Sequence, residues 1–228
     1  MAVALLAAAP SAAAPAPRVD QLVAFSSGAA TIERVQARAA NVTVGRRRCA
    51  VASGTPLAAL ARTAAGRLRL RDYGSCSEHP GDGGSLFVTA IAGERNAGFS
   101  GWTYKVGNRL ATAGAGDPSG PFGAGRLRTG ARVTWFYCRP QAVGGSCQRN
   151  LSTRARVRPG GVLAVTVRAH DDEGRAVAAK GATVRVGAQE ARTDAGGVAR
   201  LTVGPGPHEL HAEQAGRTRS FPERVIAG

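Results

Sequence analysis

Two stretches decide the fold of the N-terminal part of this chain: GWTYKVGN at residues 101–108 and ARVTWFY at residues 131–137. Every second residue is apolar or aromatic in both runs (Trp102, Tyr104 and Val106; Val133, Trp135 and Tyr137), and alternate residues of a β-strand point to the same face of a sheet. The alternation groups four large rings on two such faces: Trp102, Tyr104, Trp135 and Tyr137. If the two runs pair in one sheet, the rings form an aromatic layer, in which each ring pair contributes about 0.5–1.5 kcal/mol beyond area burial.

The four rings have two interpretations. Aromatic residues are only 5% of the chain, so their concentration on paired strands favours the core of a small sheet. In the alternative, some rings face outward, where a tryptophan and a tyrosine can stack on sugar rings. That alternative makes Trp102, Tyr104, Trp135 and Tyr137 candidate ligand-binding residues.

One helix is predicted in this part, at residues 55–66. Thr55 suits its N-cap, Pro56 suits the first helical position and Gly66 suits the exit. A β-hairpin is predicted just before it, at residues 41–51, and short extended runs follow it. This part is therefore predicted to be an α+β domain in a chain that is mainly β.

Three motifs stand in the order typical of one protein family. They are Thr-Pro-Leu at 55–57, Gly-Trp-x-Tyr-x-Val at 101–106 and Gly-x-x-Val-x-Trp-x-Tyr at 130–137. On these motifs, residues 40–138 resemble a β-grasp-type domain family of unassigned function, in the same broad group as the C-terminal β-domain of the cobalamin carriers transcobalamin and intrinsic factor. The resemblance implies a β-grasp-like domain. The carriers hold cobalamin between this domain and a helical barrel, which this chain lacks, so corrinoid binding is kept only as an alternative function.

Residues 151–228 have the pattern of a second unit, with short alternating strands and no helix. Several such strands, separated by turn signals, predict a small immunoglobulin-like β-sandwich. The segments DAGGVA at 194–199 and AGRTRS at 215–220 make this unit similar to the carboxypeptidase-regulatory or bacterial immunoglobulin-like modules of secreted proteins. The domains are therefore predicted at residues 18–150 and 151–228.

Cys49, Cys76, Cys138 and Cys147 form an even set. In an exported chain such a set predicts disulfides, and the spacing matches no zinc pattern. The short loop between Cys138 and Cys147 favours that pair, which leaves Cys49 with Cys76; four cysteines also allow other pairings. A free, reactive thiol is the alternative for any one of them, and only Cys49 has adjacent arginines to favour a thiolate.

Residues 1–17 are predicted to be a signal peptide and a short tail. An apolar run too short to cross a bilayer leads into small residues at 11–14, which is typical of an export signal. The first basic residue is Arg18, later than in most signal peptides, so an Ala- and Pro-rich tail on a cytosolic protein is the alternative. Export predicts a secreted, extracellular protein, and no later segment has the length and apolar character of a transmembrane helix.

The formal net charge is +15, and 28 of the 30 basic residues are arginine. Heavy use of arginine, alanine and glycine is typical of a GC-rich bacterial genome, which weakens a nucleic-acid interpretation. In one run Arg67, Arg69 and Arg71 share a strand face. That face is either solvated or an anion-contacting ridge for an extracellular glycan or anionic cell-wall polymer. No ring is interleaved with these arginines to stack a base, so no nucleic-acid partner is predicted.

The sequence carries no recognisable catalytic or metal-ligating constellation. Glu78, His79 and Asp82 form the best polar cluster, but they lie in a glycine-rich loop. His208 and His211 stand three residues apart on a predicted strand, which places them on opposite faces. The prediction is therefore a secreted, non-enzymatic bacterial scaffold for extracellular or cell-surface binding or adhesion, without metal or cofactor. Two alternatives stay open: a corrinoid or other small-ligand binding protein, and an extracellular enzyme that uses the polar cluster.

Overall fold

The computed structural model describes residues 15–63, 67–140 and 145–228. Within these ranges the chain is mainly β, as the sequence predicts, and only short helices interrupt the strands. Residues 1–14 of the predicted signal peptide and residues 64–66 of the predicted helix lie outside the described residues.

The described residues of the N-terminal part form ten strands. In chain order they are β1 Arg18–Ala24, β2 Ala30–Gln36, β3 Ala40–Val44, β4 Arg47–Val51, β5 Arg69–Asp72, β6 Leu86–Ile91, β7 Glu94–Arg95, β8 Gly101–Val106, β9 Arg109–Leu110 and β10 Arg132–Cys138. A helix of one turn, α1 (Pro56–Leu60), separates β4 from β5, and a 3-10 helix (Pro80–Ser85) precedes β6. The strands form a five-stranded sheet in the order β2-β1-β10-β8-β9, a β3–β4 hairpin and a small β5-β6-β7 sheet.

The aromatic layer predicted from the sequence lies in the five-stranded sheet. In the β8–β10 ladder Trp102 stands opposite Tyr137, and Tyr104 stands opposite Trp135. The ring centroids are 5.8 Å apart in the first pair and 5.1 Å apart in the second. The rings pack with apolar side chains of β1 and α1 into one hydrophobic core. Because β1 and β10 pair in parallel, this core joins the beginning of the N-terminal part to its end.

The helix is shorter than the sequence predicts. Thr55 caps it as expected, with Oγ1 accepting a hydrogen bond from Ala58 N at 3.2 Å. After Leu60 the backbone tightens, because Thr63 N donates to Leu60 O at 3.2 Å in a bond of the 3-10 type. The hydroxyl of Thr63 donates to the same carbonyl at 2.8 Å. Thr63 therefore satisfies the last carbonyl of α1 and ends the helix before the predicted exit at Gly66.

Two disulfides fasten loops to this core. Cys49 of β4 is bonded to Cys76, and Cys138 at the end of β10 is bonded to Cys147. These are the pairs that the loop lengths favour, and no cysteine of the chain is free. Cys49 and Cys76 both belong to the hydrophobic core, so the first bridge ties the β3–β4 hairpin to the loop that follows β5.

The C-terminal part is built from eight strands in its described residues. They are β11 Asn150–Arg158, β12 Val162–His170, β13 Ala176–Ala178, β14 Thr183–Val186, β15 Gln189–Arg192, β16 Val198–Thr202, β17 Gly206–Glu213 and β18 Glu223–Ala227. β12 pairs with β11 on one side and with β13 and β16 on the other, and a second sheet has the order β15-β14-β17-β18. Four fully buried residues of β12 face the second core, as their alternation predicts: Leu163, Val165, Val167 and Ala169.

The two parts meet at a buried lysine. Lys105 of β8 is fully buried, and its Nζ lies 3.1 Å from Asn150 Oδ1, Asp171 O and Asp172 Oδ1. Asp172 also accepts a hydrogen bond from Cys147 N at 3.0 Å. Burial lowers the pKa of Lys105, and the neighbouring Asp172 opposes that effect. These contacts attach the five-stranded sheet to the start of β11 and to the loop that follows β12.

Candidate anion-binding surfaces

The four rings predicted as candidate ligand-binding residues lie in the core. The exposed fractions are 3%, 6%, 1% and 9% for Trp102, Tyr104, Trp135 and Tyr137. Trp102 Nε1 donates to Glu94 O at 2.8 Å, and the Tyr104 hydroxyl donates to Ala113 O at 2.8 Å. Burial, followed by the charge of Asp117, raises the pKa of the Tyr104 hydroxyl. This corrects the platform interpretation, because rings enclosed in a core offer no face on which a sugar can stack.

The predicted arginine ridge is exposed. Arg67 precedes β5, and Arg69 and Arg71 project from it into solvent. Leu68 and Leu70 alternate with them and pack against the N-terminal core. The alternation therefore places the charges outside, as the sequence predicts, and leaves the three guanidinium groups accessible.

Two exposed rings accompany the ridge, and the sequence interpretation missed both. Tyr73 is 65% exposed and Phe87 is 42% exposed. Their centroids lie 5.9 Å apart in an edge-on arrangement, and Arg71 Cζ lies 4.8 Å from the centre of the Tyr73 ring. Phe87 stands opposite Arg71 in the β5–β6 ladder. We call Arg71, Tyr73 and Phe87 the ring patch; period-two alternation already places Tyr73 on the face of Arg71.

Asp72 builds the loop that follows β5. Its side chain is fully buried and accepts hydrogen bonds from Ser85 Oγ at 2.6 Å and from the backbone N of Gly74 and Cys76 at 3.0 Å. Arg47 Nη2 lies 3.0 Å from the same carboxylate. The hydrogen bond from Ser85, supported by the two backbone donors and Arg47 and opposed by burial, lowers the pKa of Asp72 to about 2. The carboxylate thus holds this loop in one conformation.

A second cationic surface lies on the outer face of β11, β12 and β16. It carries five exposed arginines: Arg154, Arg156, Arg158, Arg168 and Arg200. The ladders place Arg154 opposite Thr166, and they place Ala164 between Arg156 and Arg200. Small residues of β12 therefore form the floor of a trough of about 660 Å³, and arginines form its sides. We call this surface the arginine face.

No acidic residue stands on the outer face of β11, β12 or β16. Of the five arginines, Arg200 alone has an ion pair among the described residues, with Asp194 at 3.5 Å. The acidic residues on strands of this part belong to the opposite sheet: Glu190, Glu209, Glu213 and Glu223. The arginine face is therefore a region of concentrated positive charge. The net charge of the whole C-terminal part does not reveal it, because the acidic residues lie on the opposite sheet.

The polar cluster that was the candidate catalytic set lies at the 3-10 helix that precedes β6. Glu78, His79 and Asp82 are all exposed. His79 Nδ1 accepts a hydrogen bond from Gly81 N at 3.2 Å and so caps the 3-10 helix. Asp82 Oδ2 accepts from Ser77 Oγ at 2.6 Å. Two of the three side chains thus hold their own loop in place.

His208 and His211 both lie on β17, and each has a local partner. His208 Nε2 lies 2.7 Å from Gly204 O, and His211 Nε2 lies 3.2 Å from Glu213 Oε1. Burial is the main reason why the pKa of His211 is lowered. In the ranges that the structure covers, no group of three or more His, Cys, Asp and Glu side chains is placed to hold a metal ion.

Among the described residues, no helix has both the length and the apolar character needed to cross a membrane. No protein-family model, no curated protein and no solved structure matches this chain.

Proposed function

We propose that this chain is a secreted, non-enzymatic bacterial protein that binds an anionic extracellular polymer, such as an acidic glycan or a cell-wall polymer. The observation that carries the proposal is the arginine face. Five exposed arginines surround its trough, and one of them has an acidic partner among the described residues. Concentrated charge of one sign attracts a polyanion and releases the counterions of that polyanion on binding.

The chemistry and spacing of the arginines suit a linear polymer. A guanidinium group presents planar donors that match two oxygens of a carboxylate or phosphate. On β11 the charges recur at every second residue, at Arg154, Arg156 and Arg158, which corresponds to a spacing of about 7 Å. A polymer with one charge on each repeating unit can contact several of them at once, while its backbone lies over the small residues of β12.

The ring patch supports a saccharide component in such a polymer. Tyr73 and Phe87 expose ring surface beside the guanidinium of Arg71. Exposed rings stack on the apolar faces of sugars, and a neighbouring cation favours sugars that carry an acid group. The ridge and the ring patch are therefore proposed as a second contact surface on the N-terminal part.

The architecture supports the remaining parts of the proposal. The parallel β1–β10 pair with α1 packed on its sheet fits the β-grasp-like domain that the motifs imply, and two four-stranded sheets fit an immunoglobulin-like sandwich. Two separate cores support domains at residues 18–150 and 151–228. Two disulfides fit an oxidising, extracellular compartment.

Binding of the full chain to poly(glycerol phosphate) and to polygalacturonate tests the function, with neutral dextran as the control polymer. We expect both polyanions to bind and dextran not to bind. Replacing Arg154, Arg156 and Arg158 by Gln should weaken polyanion binding by at least about tenfold and reduce the slope of log affinity against log salt by roughly three.

A second triple variant replaces Arg67, Arg69 and Arg71 by Gln, which removes the same charge from the second proposed contact surface. We expect a smaller loss of affinity for this variant, because its arginines do not line the trough. Equal losses in the two triple variants would contradict the assignment to the arginine face. Failure of the unaltered chain to bind either polyanion would reject the function itself.

A further inference from the structure

The buried cation at the junction of the two parts is a lysine in a chain that otherwise uses arginine. The chain has 28 arginines and two lysines, and Lys180 is exposed whereas Lys105 is fully buried. For a buried ion pair arginine is the more suitable residue, because its planar guanidinium group bonds both oxygens of a carboxylate. Lysine has a property that arginine lacks, since its amine can lose a proton and act as a nucleophile. The junction therefore holds a cationic side chain that is also able to form a covalent bond.

A side-chain amide faces the amine of Lys105. Asn150 is 4% exposed, and its Oδ1 accepts a hydrogen bond from Lys105 Nζ at 3.1 Å. Its Nδ2 donates to Asn108 Oδ1 at 3.0 Å, so both ends of the Asn150 amide are held. Because a carbonyl bond is about 1.2 Å long, Nζ lies within about 4.3 Å of Asn150 Cγ. The amine and the amide carbon are thus neighbours in a fixed orientation.

A carboxylate lies beside the same amine. Asp172 Oδ1 is 3.1 Å from Lys105 Nζ, which is within the reach of a general base. Asp172 Oδ2 accepts from Cys147 N at 3.0 Å, so the carboxylate is held with Oδ1 towards the amine. The buried ring of Phe136 covers Nζ with its centroid at 5.6 Å. Burial lowers the pKa of Lys105, although Asp172 opposes this effect, and a lower pKa favours the neutral amine that can attack a carbonyl carbon.

We propose that Lys105 and Asn150 form an intramolecular amide bond, and that Asp172 transfers the protons of this reaction. Nζ gives one proton to Asp172 and attacks Asn150 Cγ. A bond between Cγ and Nζ forms, the bond between Cγ and Nδ2 breaks, and Nζ gives up a second proton. Both protons pass through Asp172 to Nδ2, which leaves as ammonium, so that Asp172 ends as the carboxylate that it was at the start. The reaction consumes no oxidant, reductant or other co-reactant.

The arrangement of the three side chains supplies what this reaction needs. An amide and an amine in water exchange very slowly, but two reactants held in position reach an effective concentration of about 10⁵–10⁸ M. The reaction occurs once in each chain, so it is compatible with the proposed non-enzymatic function. It does not rest on that function, because Lys105, Asn150 and Asp172 do not line the trough of the arginine face and do not belong to the ring patch.

The bond would join β8 to the first residue of β11, across a sequence separation of 45 residues. It would attach the five-stranded sheet to the C-terminal part by a link that a reducing agent does not break. The two disulfides, in contrast, both open under reduction. The mass of the reduced chain is therefore the property that reveals the bond.

Mass spectrometry of the unaltered full chain after reduction tests the proposal. We expect a mass below that of its sequence by one molecule of ammonia. Trypsin should then release a branched peptide in which residues 96–109 are joined to residues 150–154, because an acylated Lys105 is no longer cleaved. The full mass of the sequence overturns the proposal. So does a succinimide confined to residues 150–154, which loses the same ammonia, or a loss of water from a bond between Lys105 and Asp172.

Two lysine variants assign the nucleophile. Lys105→Arg keeps a cation beside Asp172, but its guanidinium group does not become a nucleophile, so this variant should have the full mass of its sequence. Lys180→Arg is the matched control, since it makes the same change at the exposed lysine, and it should give the branched peptide as the unaltered chain does. Loss of ammonia to the same extent in Lys105→Arg overturns the assignment.

Asp172→Asn tests the proton transfer, because it keeps the shape of the side chain and removes the base. We expect the branched peptide to form at least about a hundredfold more slowly, as followed by mass after cell-free synthesis in an oxidising mixture. Thermal unfolding shows whether this variant is folded. An unchanged rate in the folded variant overturns the role of Asp172. If the variant does not fold, Asp172→Ser takes its place with the same expectation, and the peptide map of the unaltered chain decides whether the bond exists.

Discussion

The two parts of this chain build β-cores in opposite ways. The N-terminal core packs large rings, Trp102 and Trp135 among them, around a parallel pair formed by its first and last strands. The C-terminal core consists of Leu, Val and Ala side chains on antiparallel strands and has no buried ring in its cluster. Both disulfides lie outside the C-terminal strands. Pairing of distant strands carries a larger loop-closure entropy, and each cross-link lowers the entropy of the unfolded chain in this half of the sequence.

The C-terminal part fixes its loops with buried hydroxyl groups instead. Thr193 Oγ1 accepts a hydrogen bond from Ala182 N at 2.9 Å and donates to Ala179 O. Ser220 Oγ accepts from Ala212 N at 2.8 Å. Both side chains are buried, at 5% and 1% exposure. The described loops of the C-terminal part are thus held by local hydrogen bonds, whereas two loops outside its strands are closed by covalent bridges.

Removal of both disulfides should have the largest effect, and it tests whether the cross-links stabilise the N-terminal part alone. The bridges span sequence separations of 27 and 9 residues. Replacing Cys49 and Cys76 by Ser should cost about 3.5 kcal/mol, and replacing Cys138 and Cys147 by Ser about 2.5 kcal/mol, because each bridge lowers the entropy of the unfolded chain. Since a domain is stable by only about 5–15 kcal/mol, the N-terminal part should lose most of its stability while the C-terminal part keeps its own. Amide hydrogen exchange measures the two parts separately.

The complementary control acts on the other core. Thr193→Val leaves two buried backbone groups without their hydroxyl partner, and it should cost about 1–3 kcal/mol in the C-terminal part alone. If the serine variants reduced exchange protection in β12 as much as in β10, the two cores would be one cooperative unit. The contrast drawn between them would then fail.

Lys105 sharpens the comparison, because it is a buried contact through which the two parts could depend on each other. Lys105→Met leaves Asp172 without its cation in a buried junction and should destabilise the chain by about 3–5 kcal/mol. Lys180→Met is the matched control, since Lys180 is the other lysine of the chain and is exposed. Denaturant unfolding followed on β8 and on β11 measures both sides of the junction. A loss no larger than that of the control would mean that the ion pair contributes nothing to their coupling.

The sequence alone was sufficient to predict the strands that bury one face in a core. In β12 every second residue is fully buried, and in β8 the buried rings Trp102 and Tyr104 alternate with the part-buried Gly101 and Thr103. Burial then repeats with the period of the strand, and a single sequence displays that period. The exposed ridge at Arg69 and Arg71 follows from the same rule. These elements need no knowledge of which strand lies beside which.

The sequence alone was insufficient to predict the surfaces and contacts that depend on the register between paired strands. Phe87 joins the ring patch because it stands opposite Arg71, across a ladder with an irregularity between Arg69 and Leu70. The arginine face likewise requires three strands in one register, and the buried position of Lys105 requires the C-terminal part to cover it. The true end of α1 depends on the Thr63 hydroxyl. Each of these contacts joins residues whose proximity is a property of the fold.

The smallest expected effect concerns the pH dependence of the N-terminal part. The pKa of Asp72 is about 2 in the folded chain, chiefly through the hydrogen bond from Ser85, and about 3.9 in an unfolded chain. The folded state therefore binds fewer protons between these values, so the stabilisation is complete above about pH 5 and is lost as the pH falls towards 2. Asp72→Asn should lower stability at neutral pH and flatten this acid dependence. Thermal unfolding at a series of pH values, followed in the N-terminal part, measures it.

Glu78→Gln is the control for this titration, because it removes one carboxylate from the same region at an exposed position. It should leave both the neutral stability and the acid dependence of the N-terminal part close to those of the unaltered chain. Asp72 accepts from the backbone of Cys76, so its protonation loosens the loop at one end of a disulfide without breaking the bridge. If Asp72→Asn kept the full acid dependence, that loop would be held by the covalent bond alone. The stability of the N-terminal part would then depend on its disulfides and not on the Asp72 carboxylate.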